Sequence, residues 1–160
     1  MSIDPVDLRL LALLQRDAAP SNQALAEAAG ISPATAHRRV RRLREAGVIE
    51  RVVAQLSPER LAEAGCPVLH ALLEVTLDVQ AAERLAAFEA RALAEAAVQQ
   101  CWRVSPGPDF VLVVAVADMP AYEAFAARLL RADANVRNVR AFFSIRRARF
   151  GSELPLPPSA

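Results

Sequence analysis

Residues 31–49 read ISPATAHRRVRRLREAGVI, and five arginines (Arg38, Arg39, Arg41, Arg42 and Arg44) crowd the middle of the stretch. Ser32 is a favoured helix N-cap and Pro33 suits the first helical position, so the segment is expected to form a helix running to Gly47. Within it Ala36, Val40 and Leu43 follow the i, i+4, i+7 spacing of a core-facing stripe. At about 100° per residue, Arg38 and Arg42 then point outward. Ala34, Thr35 and Arg41 flank them, while Arg39 and Arg44 lie nearer the sides. A merely solvated helix face usually mixes signs, pairing acids with bases at i, i+4. Here no acid appears before Glu45.

The flanking sequence gives this helix partners. Asp4 caps and Pro5 opens a first helix with Leu10, Leu11 and Leu14 on its apolar face, and Asp7 suits its positive end. Ser21 opens a second helix that Gly30 can close in the left-handed conformation. Two short helices joined by AGIS are a helix-turn-helix signal, with small Ala26 permitting close approach. A basic face on the second helix of that motif predicts double-stranded DNA as the partner. Thr35 and Arg38 are expected to reach base edges, where arginine pairs bidentately with guanine. Arg41, Arg42 and Arg44 suit phosphates, aided by the N–H groups at the Ser32–Pro33 helix start, with Arg39 at the side and His37 as a groove or flank contact.

Downstream, VIERVVAQ reads as a strand and LSPERLAEAG as a short helix or turn. PVLHALLEVTL is a strand; QAAERLAAFEARALAEA is a helix with Leu85, Phe88 and Ala92 on one face. VQQCWRVS alternates, placing Val98, Gln100, Trp102 and Val104 together. PGPD is a turn, FVLVVAVA a buried strand, and MPAYEAFAARLLRAD a helix with Tyr122, Phe125, Ala126 and Leu129 inward. VRNVRAFFSIRRARF is the last strand, with Ala141, Phe143 and Ile145 on one face and Phe142 on the other. The order β-α-β-β-α-β is the ferredoxin-like arrangement, whose helices cover one sheet face only. An apolar second face predicts a homodimer, which also suits a motif that reads paired half-sites.

The expected class is therefore α+β: a helix-turn-helix, winged-helix-like domain over residues 1–50, a connector over 51–66, and a ferredoxin-like oligomerisation domain over 67–150, to which the family resemblance described below adds ligand sensing. A Pro-rich tail over 151–160, GSELPLPPSA, is expected to be disordered. Charge follows these divisions. Residues 1–60 hold nine arginines and seven acids, residues 61–135 five and ten, and residues 136–160 five and one, beneath a net charge of +1. Every basic residue is arginine. No uncharged apolar run approaches the roughly 18 residues of a membrane span. The start, MSIDPVDLRL, lacks the regions of a signal peptide, and only Cys66 and Cys101 are present. A cytoplasmic location is expected, without membrane partner, metal or cofactor.

Together these segments resemble the Lrp/AsnC family of transcription regulators, from about residue 4 to 150. GISPATAHRRVRRLREAGVIE is similar to the family's helix-turn-helix, and LSPERL to its connector. The resemblance implies dimers that assemble further, often into octamers, and a small-molecule effector, commonly an amino acid, held between dimers. In the family a Gly-Asp-x-Asp-aromatic type segment joins the second and third strands of the ferredoxin-like domain. Here it reads SPGPDF, with Asp109 and Phe110 matching the last two positions and Pro106 where glycine is usual. By the same alignment Met119, Phe142, Phe143 and Ser144 fall where the family lines its effector site. Sirohaem decarboxylases share this layout and supply the enzyme alternative. Against catalysis stand two distant histidines, His37 and His70, without a convincing catalytic companion, and no Gly-rich phosphate loop.

Overall fold

The computed structural model describes residues 2–157. The chain forms two compact units, Met1–Gln55 with Arg149–Ala160, and Leu56–Ala148. No helix of the described residues is long and apolar enough to cross a membrane.

The first unit holds three helices, α1 (Pro5–Leu14), α2 (Asn22–Ala29) and α3 (Pro33–Glu45). Asp4 and Asp7 form a reciprocal capping box at the start of α1. Ser21 caps α2 through the Ala24 N–H. Gly30, at φ 69°, ends α2 in a Schellman motif: its N–H bonds to the Glu27 carbonyl, and the Ile31 N–H to that of Ala26. The positive φ is what requires glycine at this turn. Leu10, Leu25, Ala26, Ala29, Ala36 and Val40 close the core, with Ile31 packed against it.

The second unit opens with a short helix, α4 (Pro58–Glu63), before β1 (Leu69–Leu77), α5 (Ala82–Ala94), β2 (Val98–Arg103), β3 (Phe110–Val116), α6 (Met119–Ala126) and β4 (Val136–Phe143). The sheet is antiparallel, in the order β2-β3-β1-β4. Its core combines Leu73, Val75, Leu112 and Val114 with Phe88, Phe110 and Phe125. The last helix widens into a π-helical turn, Ala127–Arg131, in which Leu129 and Leu130 are buried. This is the α+β class read from the sequence, a helix-turn-helix followed by a ferredoxin-like domain.

Four local readings are corrected. Residues 51–57 form no strand; Val52, Val53 and Leu56 are exposed, because β structure needs a partner ladder and this chain supplies none there. β4 stops at Phe143, and Ile145 is fully exposed beyond it. A bulge between Val98 and Gln100 breaks the alternation of β2, so Val98 and Cys101 pack toward the core while Trp102 faces outward. The described part of the Pro-rich tail docks on α1: the Gln15 side-chain amide donates to the Leu154 carbonyl at 3.1 Å and accepts from the Leu154 N–H at 3.0 Å.

Candidate nucleic-acid interface and effector positions

The geometry of α3 begins at its cap. The Ser32 hydroxyl accepts from the Thr35 N–H at 3.3 Å and pairs with the Thr35 hydroxyl at 2.8 Å. Pro33, lacking an N–H, occupies a position where that donor has no intrahelical partner anyway. Ala36, Val40 and Leu43 are buried, so the opposite face is fixed toward solvent. Ser32, Pro33, His37, Arg38, Arg41, Arg42 and Arg44 are exposed; Thr35 and Arg39 are half-buried.

The five arginines divide by what they touch. Arg39 Nη1 lies 2.6 Å from Asp4 Oδ2 and 2.9 Å from Asp7 Oδ1, with only 22% of its side chain exposed. Arg42 Nη2 bonds to Asp7 Oδ2, although 45% of its side chain stays in solvent. Asp7 itself is fully buried, so both oxygens of one inaccessible carboxylate hold α3 to α1. The arrangement tilts both members of the half-buried Asp4–Arg39 pair toward charge. The Asp7 N–H and then Arg39 hold the Asp4 carboxyl below its ordinary range, while Asp4 and Asp7 raise Arg39. Arg41 Nε pairs with Glu45 at 2.7 Å in the open. Arg38 and Arg44 form no ion pair among the described residues. The helical wheel did not anticipate the Asp7 anchor, since Asp7 reads locally as an ordinary helix-start acid.

The effector candidates fall at two places. Met119 opens α6 and is half-exposed, beside the Asp118 cap. Phe142 and Phe143 end β4, with Ser144 just beyond, at the same end of the sheet, since Ala71 pairs with Phe143 and Leu69 with Val116. Phe143 packs edge-on against Tyr122, centroids 4.8 Å apart, whereas Phe142 lies on the other face with the Arg140 guanidinium 5.3 Å from its ring. The Ser144 N–H donates to the His70 carbonyl at 2.9 Å. Asp109 precedes β3 at the opposite end, about 20 Å away along the strand at 3.4 Å per residue. Its Oδ2 accepts from the Leu77 N–H at 2.7 Å, next to the irregularity at Thr76–Leu77. Its own N–H donates to Val75 at 2.9 Å, and its carbonyl accepts from Val104 at 3.1 Å. Asp109 thus ties three strand ends together.

Two family models match the chain: the Lrp/AsnC ligand binding domain over residues 70–154 and a winged helix-turn-helix DNA-binding domain over residues 3–50. The Bkd operon transcriptional regulator of Pseudomonas aeruginosa is 32% identical over 96% of this chain and 98% of its own. The leucine-responsive regulatory protein of Rhizobium meliloti is 35% identical over 93% of each. Among solved structures, an AsnC family transcriptional regulator from Agrobacterium tumefaciens superposes with a TM-score of 0.82 at 29% identity, covering 95% of this chain and 96% of that one. A transcriptional regulator from Neisseria meningitidis, in complex with L-Met, gives 0.81 at 25% identity, covering 96% and 97%.

Proposed function

The chain belongs to the Lrp/AsnC family and is a DNA-binding transcriptional regulator, and on that premise we propose which residues read DNA, what modulates them and how the protein assembles. α3 enters the major groove with Arg38 and Thr35 at base edges. Arg44 and Arg41 hold phosphates, joined by the N–H groups beyond Ser32 and Pro33, and His37 flanks the groove. Arg39 braces α3 against α1, and Arg42 shares its guanidinium between Asp7 and a phosphate.

The observation that carries this reading is the pair Arg38 and Arg44, exposed and without an ion pair among the described residues, on a helix whose other face is locked in the core. Arg38→Ala should cost about 1–3 kcal/mol on the specific site and relax base preference there. Arg44→Ala should weaken binding to every sequence and lower the salt slope by about one. Wild-type affinity and salt dependence in both variants would sink the docking.

The effector is a small molecule of the amino-acid class. The ligand-binding family match over residues 70–154 and the similarity to a regulator solved with L-Met support this class. Met119, Phe142, Phe143 and Ser144 mark the end of the sheet where it binds, Phe142 from the face opposite Phe143. Asp109, far along the strand and already bonded to Leu77, joins them only from another copy of the chain. Calorimetric titration with a panel of amino acids should give binding that Met119→Ala weakens. A panel in which nothing binds the wild type removes the amino-acid class.

The protein works in the cytoplasm, as a homodimer through the uncovered sheet face and in a higher assembly such as an octamer. It is not an enzyme: the relatives that match over nearly its full length are named as regulators, and no observation favours the sirohaem decarboxylase alternative.

A further inference from the structure

The chain enters its first unit twice, once as Met1–Gln55 and again from Arg149. The second entry ends on a built contact. Leu8, Ala12 and Gln15 are spaced i, i+4, i+7 along α1 and form a half-buried stripe apart from Leu10, which faces the core. The tail lies along this stripe, and together they line an open cleft in which Leu156 is partly buried. Gln15 holds the Leu154 backbone by both its donor and its acceptor, as a neighbouring strand would. Arg16 Nε lies 3.6 Å from Glu153, too exposed to add much. Pro155 and Pro157 fix φ on either side of Leu156, which lowers the entropy lost on docking.

We propose that Glu153–Pro157 is a strap, and that its docking on α1 gives the DNA-reading unit a second tether to the rest of the chain. Without the strap, that unit hangs on one link. Residues 51–57 have no regular structure and expose Val52, Val53 and Leu56, so a single link there restrains orientation weakly. A second link raises the effective concentration of one recognition helix at its half-site once the other has bound. The consequence for DNA rests on the dimeric reading above; the docking itself does not.

Two variants of the full chain test the strap: Gln15→Ala, which keeps the backbone N–H that caps α1 through Leu11, and deletion of residues 153–160. Among the described residues the Leu154 amide has only the Gln15 bond to protect it, so hydrogen exchange reads docking directly. Wild type should slow that amide on the order of tenfold or more against its intrinsic rate, and Gln15→Ala should return it to that rate. Both variants should lose on the order of tenfold in affinity for DNA carrying two half-sites, and keep wild-type affinity for a single half-site. A Leu154 amide exchanging at its intrinsic rate in wild type overturns the strap, and so does an equal loss on both DNAs. If wild type binds neither DNA, the nucleic-acid reading fails while the amide still decides whether the strap exists.

Discussion

Asp7 decides which arginines of α3 remain available. Its fully buried carboxylate takes a guanidinium on each oxygen, from Arg39 and Arg42. Asp7→Ala leaves Arg39 partly buried with only Asp4 for an ion-pair partner, so urea unfolding should show a loss of about 3 kcal/mol. Asp4, at the solvent edge of the same cluster, brings a pH dependence. Its folded carboxyl is held below the ordinary 3.8 by the Asp7 N–H and Arg39. The stability it contributes is therefore constant above about pH 5 and is lost as pH falls through the folded pKa. The gap between wild type and Asp4→Asn in unfolding experiments should close below pH 3.8 and nowhere else. Arg44, read as lying nearer the side, is exposed, and Arg38 was legible as exposed charge from spacing alone. The fate of Arg42 was not, because a helical wheel gives the direction of a Cβ, whereas a long guanidinium stem turns back to a carboxylate more than thirty residues away. For the same reason Asp109 could be aligned with a ligand loop, yet its bond to Leu77 depends on strand register.

At the scale of elements, the helix-turn-helix was readable because its signals are local: capping residues, proline at the helix start, glycine at the helix end. Gly30 is the least replaceable. Its φ is 69° and an added Cβ would meet nothing within 4 Å, so Gly30→Ala should cost about 1–2 kcal/mol of torsional strain alone, measured by thermal or urea unfolding. The misread elements depended on partners. Residues 51–57 have strand composition but no ladder to join. The bulge in β2 is a property of its pairing with β3, and a period-2 reading has no means of placing it. Strap and α1 meet across 139 positions of sequence, from Gln15 to Leu154, and a Pro-rich composition says nothing about where it docks.

For the molecule as a whole, the two faces of the sheet separate fold from assembly. Phe143, 37% exposed, packs on Tyr122 on the helix-bearing face, while Phe142 is 47% exposed on the face that no helix of the described residues covers, near exposed Leu72. Phe142→Asp should therefore keep a cooperative melting transition and shift sedimentation toward the monomer, whereas Phe143→Asp, which also breaks the Tyr122 contact, should lower the melting temperature further than loss of the dimer does. Wild type sedimenting as a monomer at micromolar concentration contradicts the dimer. The central claim is narrower: Arg38, exposed and without an ion pair among the described residues, reads base sequence. Selection of bound duplexes from a random-sequence pool, run in parallel with wild type and Arg38→Ala, measures it most directly. Wild type should enrich a two-fold symmetric motif, and Arg38→Ala should enrich the same motif with its preference lost at one base pair in each half. An identical motif from both proteins, or no motif from the wild type, would contradict the account.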